Sequence, residues 1–346
     1  MSPASGAAAA QPSSEPLLVV EDLKTYFKTD RGLVRAVDGV SFTLERGRTL
    51  GVVGESGSGK TVLSRSIMGL LPKRDVVRSG SVKFEGVELV EAESSLMVDY
   101  WGDQMAMVFQ DPMTSLNPVM RVGKQITEGL RQHLDISKDH ANQTALALLS
   151  SVGIPEPERR LRQYPHEMSG GMRQRVMIAI AIACGPKLLF ADEPTTALDV
   201  TVQAQILDLL QTQQRDRYMA MILVTHDLGV VAGRTDEIAV MYAGKVVEKA
   251  PTKVLFSNLR HPYTEALLSS IPKISDPSHT RLKTIGGRPP NLINPPSGCK
   301  FSPRCAYATD KCRTEEPPLS APDSDGHQFS CWFPVELSAK QTAGVR

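Results

Sequence analysis

Residues 54–61 constrain the fold of this chain more than any other feature. They read Gly-Glu-Ser-Gly-Ser-Gly-Lys-Thr and match the pattern G-x-x-x-x-G-K-[ST]. The stretch follows a short apolar run, residues 48–53, and precedes residues 61–71, whose apolar side chains have helical spacing. A strand, a glycine loop and a helix in this order are typical of a phosphate-binding unit. The stretch therefore predicts an α/β fold that binds a nucleotide.

The residue types of this loop match the chemistry of a bound triphosphate. Glycines let backbone N–H groups turn towards phosphate oxygens, and the start of the helix adds positive potential. We expect Lys60 to neutralise the β and γ oxygens and Thr61 to bind Mg²⁺. The other residues expected at the phosphates are Gly54, Ser56, Gly57, Ser58 and Gly59. A simple turn between a strand and a helix would need one glycine and has no use for Lys-Thr.

Two adjacent carboxylates end a second apolar run. Asp192 and Glu193 follow residues 188–191, which predict a buried strand of a parallel sheet. Charges at the end of such a strand are costly unless a cation lies beside them. We expect Asp192 to join Thr61 in the Mg²⁺ shell and Glu193 to polarise an attacking water. Alone, the run would also fit an ordinary strand that ends in acids.

Four shorter motifs occur in an order that identifies a family. They are Gln110 after residues 107–109, Ser169-Gly170-Gly171-Met172-Arg173-Gln174-Arg175, Ala197-Leu198-Asp199, and His226 after Val224-Thr225. With the glycine loop and the paired acids, they resemble the Q-loop, signature loop, D-loop and switch histidine of the ATP-binding cassette (ABC) family. The resemblance covers residues 17 to about 249. Met172 departs from the family, which most often has Gln there. Alone, Gln110 would be an ordinary surface glutamine and His226 a neighbour of a helix cap.

The resemblance implies a fold and a set of roles. The fold is an α/β P-loop NTPase of the ABC type, with a RecA-like parallel sheet core, an antiparallel β subdomain and a helical subdomain. ATP lies between the glycine loop of one cassette and the signature loop of another. Gln110 and His226 are implied to sense the γ-phosphate and Mg²⁺, with Gln110 also a Mg²⁺ ligand. Ser169, Gly170 and Gly171 are implied to contact the ATP bound by the other cassette. Asp199 is implied to couple the two ATP sites. An aromatic residue of the first strand stacks on the adenine. We favour Phe27 over the adjacent Tyr26, with a core aromatic as the alternative.

Sequence patterns divide the chain into three parts. Residues 1–16, rich in Ala, Ser and Pro, are expected to be a disordered leader, because they lack the basic start and apolar core of a signal peptide. Residues 17–250 form the nucleotide-binding domain, with the helical subdomain at about 111–185. Strand-like runs at 17–20 and 37–44 predict an antiparallel pair. Residues 251–346 form a small, loop-rich C-terminal extension.

The extension carries a second resemblance. Residues 261–268 read His-Pro-Tyr-Thr-Glu-Ala-Leu-Leu, and residues 295–299 read Pro-Pro-Ser-Gly-Cys. Together with residues 111–118, they are similar to the ATPase subunits of bacterial oligopeptide and dipeptide importers. This resemblance implies a subunit that hydrolyses ATP to energise peptide import. Its implied partners are a second ABC ATPase subunit, two integral membrane permease subunits and an extracytoplasmic peptide-binding protein.

Four of the 5 cysteines lie in the extension: Cys299, Cys305, Cys312 and Cys331. Without an export signal we expect a reducing cytosol, where disulfides are rare. A loop-rich segment with few apolar residues gains stability from a metal, and four thiolates suit either tetrahedral Zn²⁺ or an iron–sulfur cluster. Members of the peptide-importer branch with these cysteines carry a [4Fe-4S] cluster, so the resemblance implies that cluster, with zinc or no metal as alternatives. Cys184 is expected to be a packed apolar residue.

Charge and hydropathy limit the partners. Lys+Arg 39 against Asp+Glu 38 and 5% aromatic residues do not indicate a nucleic-acid binder. The longest apolar stretch, residues 176–184, is too short to cross a membrane. Together with the resemblance to a transporter ATPase, this implies a peripheral subunit at the cytoplasmic face of the cell membrane. The alternatives are an importer ATPase for nickel or another small solute, a soluble ABC ATPase of DNA repair or translation, and an iron–sulfur redox sensor that binds nucleotide.

Overall fold

A computed structural model describes residues 15–196, 198–271, 285–321 and 326–336. Residues 1–14 of the predicted leader and Ala197 of the expected D-loop lie outside the described residues. Within the described ranges, no helix is both long enough and apolar enough to span a bilayer.

The described residues form strands and helices joined by loops, and residues 285–309 are loop and turn. The strands are β1 (Leu18–Thr29), β2 (Gly32–Leu44), β3 (Thr49–Val53), β4 (Val76–Phe84), β5 (Val87–Glu88), β6 (Met105–Val108), β7 (Leu188–Asp192), β8 (Ala220–Thr225), β9 (Glu237–Tyr242), β10 (Lys245–Pro251) and β11 (Gln328–Phe329). The helices are α1 (Lys60–Ile67), α2 (Ser94–Tyr100), α3 (Pro112–Ser115), α4 (Val122–His133), α5 (Lys138–Ser151), α6 (Pro157–Arg160), α7 (Gly170–Ala181), α8 (Val200–Asp216), α9 (Leu228–Val231), α10 (Thr252–Ser257), α11 (Pro262–Ser269) and α12 (Asp310–Thr314). A short 3₁₀ turn covers Pro165–Glu167.

The larger sheet positions the candidate site. Its order is β11-β10-β9-β3-β8-β7-β6, and the pairs from β9 to β6 are parallel. Every residue of β3, β7 and β8 is buried, which explains their apolar sequences. Val53 pairs with Thr225, and Asp192 pairs with Val224. The glycine loop, the paired acids and His226 therefore leave the sheet at one edge.

The smaller sheet is antiparallel, with the order β2-β1-β4-β5. The sequence predicts its first pair, and the structure confirms that β1 pairs antiparallel with β2. Strands β4 and β5 are not predicted. Gly80, with φ 94, interrupts β4, whose polar and exposed residues hide the alternation of a strand. Strand β2 lies at the end of the order, so its outer edge is open to other segments.

Two apolar cores pack against the larger sheet. One lies between that sheet and the antiparallel sheet and includes Leu18, Leu63 and Phe190. The other joins the sheet to α4, α5, α7 and α8, with Ile126 and Leu149 among its buried residues. The middle segment is helical as predicted, and the apolar part of α7 is buried as expected.

The C-terminal extension shares this second core. Tyr263 is fully buried and Phe301 nearly so, and both belong to the cluster that includes the central strands. Strand β11 pairs with β10 and so extends the larger sheet. The extension thus packs on the cassette rather than around a core of its own. The domain boundary at residue 250 stays a prediction.

Candidate functional site

The glycine loop follows a path that two of its glycines make possible. A Cβ atom on Gly54 would lie 2.2 Å from the Met241 carbonyl oxygen, and one on Gly59 would lie 2.2 Å from that of Ala36. Gly59 also has φ 103, a conformation that side chains disfavour. The loop is therefore packed tightly against β9 and β2, which fixes its course into α1.

Lys60 lies inside this loop. Its side chain is 4% exposed, and its Nζ donates hydrogen bonds to the carbonyl oxygens of Gly54 at 2.8 Å and Glu55 at 3.0 Å. Burial lowers the pKa of Lys60, although Glu193 and Asp192 oppose that shift. A phosphate beside Nζ would stabilise the charged amine, because it would supply a partner that the carbonyls do not.

Thr61 and Asp192 form the next pair. The Thr61 hydroxyl donates to Asp192 Oδ1 at 3.0 Å. Asp192 is 1% exposed, and burial raises the pKa of its carboxyl group. A hydroxyl and a buried carboxylate at the end of a strand are hard oxygen ligands, so the pair fits Mg²⁺.

Glu193 is the centre of a polar cluster at the mouth of the loop. Its Oε2 accepts hydrogen bonds from Gln110 Nε2 at 3.0 Å and from the Thr196 hydroxyl at 3.2 Å, and it lies 3.4 Å from His226 Nδ1. Its Oε1 lies 3.9 Å from Lys60 Nζ. The backbone of Glu193 has φ 45, an uncommon conformation for a residue with a side chain. Sequence reasoning missed Thr196, although it lies three residues after Glu193.

These groups open onto a cavity of ≈ 1030 Å³. Small-molecule sites are usually about 300–1,000 Å³, so the cavity is large enough for a nucleoside triphosphate. The predicted site residues that line it are Phe27, Ser56, Gly57, Gly59, Lys60, Thr61, Gln110, Glu193 and His226. Tyr26 does not line it, and its hydroxyl donates to Asp38 at 2.5 Å.

The signature-loop and D-loop residues lie elsewhere. Ser169 caps α7, because its Oγ accepts from the Met172 N–H at 3.4 Å. Asp199 caps α8 by accepting from the Val202 N–H at 2.9 Å. A Cβ on Gly171 would lie 3.0 Å from Val202, so the two caps are neighbours. Ser169, Gly170 and Asp199 are exposed. Within one chain, none of these residues contributes to the cavity.

The four cysteines of the extension line one small cavity of ≈ 20 Å³. That volume has room for about one water molecule. All four thiols are free, and burial raises the pKa of Cys331 to about 12. Across the described ranges, no group of three or more His, Cys, Asp or Glu residues is arranged to hold a metal ion. The sequence thus correctly groups the four thiols, but the predicted [4Fe-4S] cluster is not supported by their arrangement.

The extension also contacts the glycine loop directly, and no sequence motif predicts this contact. The Glu55 N–H donates to the Tyr263 hydroxyl at 2.8 Å. Arg304 binds the Glu55 carboxylate with two nitrogens, at 2.6 Å and 2.9 Å. These contacts join residues more than 200 positions apart, and no local motif marks them.

Comparisons with known proteins agree with this geometry. Residues 37–196 match the family described as "ABC transporter", and residues 247–312 match "Oligopeptide/dipeptide transporter, C-terminal region". The oligopeptide transport ATP-binding protein OppD of Bacillus subtilis is 51% identical over 318 residues, which cover 92% of this chain and 88% of that protein. The dipeptide transport ATP-binding protein DppD of Escherichia coli is 47% identical, with coverage of 94% and 99%.

Solved structures confirm the predicted fold class. The ATP-binding cassette MJ0796, in a dimeric post-hydrolysis state, matches with a TM-score of 0.61 at 24% identity and covers 68% of this chain and 98% of that one. CbiO1 of Clostridium perfringens matches with a TM-score of 0.59 at 26% identity and covers 70% and 91%. The chain therefore belongs to the ABC transporter ATPases, and within them to the oligopeptide and dipeptide transport ATP-binding proteins.

Proposed function

We propose that this chain binds and hydrolyses ATP to energise the import of oligopeptides or dipeptides through a membrane ABC transporter. The observation that carries this proposal is the polar cluster around Glu193. Its carboxylate is held by Gln110, Thr196 and His226 next to the loop that contains Lys60. Such a carboxylate has the position that a water-activating group needs beside the γ-phosphate.

Each residue of the loop has a role in this mechanism. The backbone N–H groups and Lys60 bind the phosphates, and a bound phosphate favours the charged form of Lys60 against the burial that lowers its pKa. Thr61 and Asp192 would hold Mg²⁺, which neutralises charge on the β and γ oxygens. Glu193 orients the attacking water and accepts its proton, while Gln110 and His226 keep the carboxylate in place and contact the γ-phosphate. Phe27 stacks on the adenine.

The active unit is a pair of cassettes. Ser169, Gly170 and Asp199 are exposed and lie outside the cavity of their own chain. In a pair, the N-terminus of α7 would meet the γ-phosphate bound to the other cassette, so that one ligand closes two subunits. The second cassette is either a copy of this chain or a paralogue, and the signature loop that faces the ATP bound here then comes from that copy or paralogue.

The membrane location comes from partners. Two integral permease subunits and an extracytoplasmic peptide-binding protein are proposed, with this chain at the cytoplasmic face. Met113 and Val119, which are 61% and 82% exposed, lie between Gln110 and α4. Exposed apolar side chains beside a catalytic loop fit a docking surface for a permease.

The test replaces Glu193 by Gln in the transporter reconstituted with its permease subunits in vesicles. We expect ATP binding to persist while phosphate release and uptake of a labelled dipeptide fall about 100-fold or more. The control is Glu128→Gln, which changes an exposed glutamate on α4 and should leave both rates unchanged. Undiminished hydrolysis in Glu193→Gln would remove this residue from the mechanism. Failure to co-purify with integral membrane subunits would favour a soluble ABC ATPase.

We infer that the four cysteines form a separate thiolate site for a [4Fe-4S] cluster, with zinc as the alternative. That Cys299, Cys305, Cys312 and Cys331 line one cavity supports a shared thiol site. The cluster itself rests on the resemblance of the extension to the peptide-importer branch, because the described residues show no group arranged to hold a metal ion. Because that cavity is small, a cluster requires the cysteine loops to move outward. Protein purified without air should contain iron and sulfide that Cys312→Ser loses and Cys184→Ser retains. Stoichiometric zinc instead of iron and sulfide would show that the four thiols bind zinc. Protein with neither iron nor zinc would contradict a metal site at these cysteines.

A further inference from the structure

The extension forms part of the large cavity. On one side, the cavity is lined by Phe27, Val34 and Ala36 of the antiparallel sheet. The extension contributes Leu267 and Ser270, at the end of α11, and a second set of residues that follows in the chain: Ile285, Pro289 and Leu292. The cavity lined by the phosphate loop is therefore built by both the cassette and the C-terminal extension, which the sequence patterns divide into separate parts.

Backbone contacts fix the second set against the antiparallel sheet. The Arg35 N–H donates to the Leu292 carbonyl oxygen at 3.1 Å. A Cβ on Gly32 would lie 2.8 Å from Ile293 Cγ2, so the segment runs closely along the open edge of β2. Val34 pairs with Phe27 in the register of the sheet. Leu292 is thus held next to the strand pair that carries the proposed adenine-stacking residue.

Arg304 ties the same segment to the phosphate loop. Its Nε donates to the Gly286 carbonyl oxygen at 2.8 Å, and one of its terminal nitrogens donates to the Ile285 carbonyl oxygen at 3.3 Å. The same guanidinium group binds both carboxylate oxygens of Glu55. The Arg304 side chain is only 3% exposed, whereas the Glu55 side chain is 27% exposed, so water is largely excluded on the arginine side of the pair. A charged residue next to Cys305 therefore holds residues 285–286 and the glycine loop in one arrangement.

We infer that residues 285–292 form a second wall of the nucleotide site and contact the purine base, with Leu292 as the main apolar contact. This inference rests on the proposed function, because it assumes that ATP occupies the cavity. The residues of this wall that line the cavity, Ile285, Pro289 and Leu292, are apolar, as the flat face of a base requires, whereas the loop and Lys60 bind the phosphates. Leu292 and Pro289 are then positioning residues for the base, and nucleotide binding stabilises the docked extension.

The test measures equilibrium binding of two probes to the full chain by calorimetry, in buffer with EDTA to prevent hydrolysis. The probes are ATP, which has a base, and inorganic tripolyphosphate, which has none. Leu292→Ala should weaken ATP binding about fivefold, because it removes apolar contact with the base. Its affinity for tripolyphosphate should equal that of the wild type, which a general disturbance of the loop would not allow. The matched control is Leu319→Ala, at an exposed leucine of the extension away from the cavity.

Each outcome decides one question. Equal ATP affinity for the wild type and Leu292→Ala overturns the second wall. Equal losses for ATP and tripolyphosphate also overturn it, since the effect would then act through the phosphate loop. A wild type that binds neither probe contradicts the proposed function instead. Should Leu292→Ala fold poorly by circular dichroism, Leu292→Met keeps the apolar volume and should retain ATP affinity, while Leu292→Gln, of similar size but polar, should lower it.

Discussion

The glycine loop and the four-cysteine cavity differ in how their residues are brought together. The loop uses consecutive residues, 54–61, after β3 and into α1, so its residue types form a pattern along the chain. Packing against β9 and β2 then fixes its course. The cysteines come from separate turns of a loop-rich segment that are joined by long-range contacts, such as the Cys299 N–H to the Cys312 carbonyl oxygen at 2.8 Å. The residues of the first site are neighbours in the chain, whereas those of the second are brought together by the packing of the extension.

The cassette supplies that packing. Phe301 lies against Tyr242 and Tyr263, with ring centroids 5.2 Å and 5.3 Å away. Lys300, next to Cys299, donates to Asp38 at 2.9 Å and to the Ala243 carbonyl oxygen at 3.1 Å. The position of the cysteine cavity is therefore set by contacts with the nucleotide-binding domain. Four substitutions, given in order of decreasing effect, test how the two regions are held and joined.

The strongest test of how the glycine loop is packed is Gly59→Ala. Its Cβ would collide with the Ala36 carbonyl oxygen, and its φ of 103 is unfavourable for alanine. We expect the free energy of unfolding to fall by about 3 kcal/mol or more, with ATP binding lost. Gly57→Ala is the control. Gly57 also has a positive φ of 80, but a Cβ there would have no neighbouring atom within 4 Å, so the free energy of unfolding should fall by only about 1 kcal/mol. Equal costs in urea unfolding would contradict the packed loop.

Arg304→Ala tests whether the two regions form one unit. It leaves Glu55 without its charged partner, and the free energy of unfolding should fall by about 2 kcal/mol, since Glu55 is partly exposed. The affinity for ATP should also fall, because the loop and residues 285–286 lose their shared contact. The control is Arg313→Ala, which removes an exposed ion pair of the extension and should change neither quantity. If Arg304→Ala matches that control, the extension does not stabilise the loop.

Phe27→Ala tests the base pocket from the cassette side. Loss of stacking should weaken ATP binding about tenfold and leave tripolyphosphate binding unchanged. Its control is Tyr26→Phe, which removes only the hydrogen bond to Asp38 outside the cavity and should bind ATP as the wild type does. A larger effect of Tyr26→Phe on ATP affinity would exchange the roles of these neighbours. The comparison with Leu292→Ala would then show how the two walls share the base.

The smallest expected effect is on stability, for Asp192→Asn. Burial raises the pKa of Asp192 in the folded state, so the folded protein binds more protons than the unfolded chain between the ordinary and the raised value. The free energy of unfolding of the wild type, without nucleotide or Mg²⁺, should therefore fall as the pH rises through that window. Asp192→Asn lacks this loss and should be more stable than the wild type at pH 7.

The advantage of Asp192→Asn should shrink at about pH 4 and vanish below it, as the unfolded chain of the wild type also becomes protonated. Urea unfolding at the two pH values measures the difference. Asp135→Asn, at an exposed aspartate, should have the same free energy of unfolding as the wild type at both pH values. A wild type that is more stable than Asp192→Asn at pH 7 would contradict the unfavourable burial of the carboxylate.

Much of the nucleotide site could be predicted from the sequence. Parallel strands place their carboxyl ends at one edge, so a loop after β3, acids after β7 and His226 after β8 had to meet. Thr196 was missed because a threonine in a turn has no distinctive pattern. Strands β4 and β5 were missed because solvent-exposed strands of a small sheet carry many polar residues.

The phosphate loop, the paired acids and the class of fold follow from the sequence, because they depend on neighbours in the chain and on the periodicity of buried residues. That Arg304 binds Glu55, that Leu292 lines the cavity beside Lys60, and that Tyr26 lies outside this cavity is known from the three-dimensional structure alone. Contacts between residues so distant in the chain arise from packing and charge pairing in three dimensions, which no local pattern records.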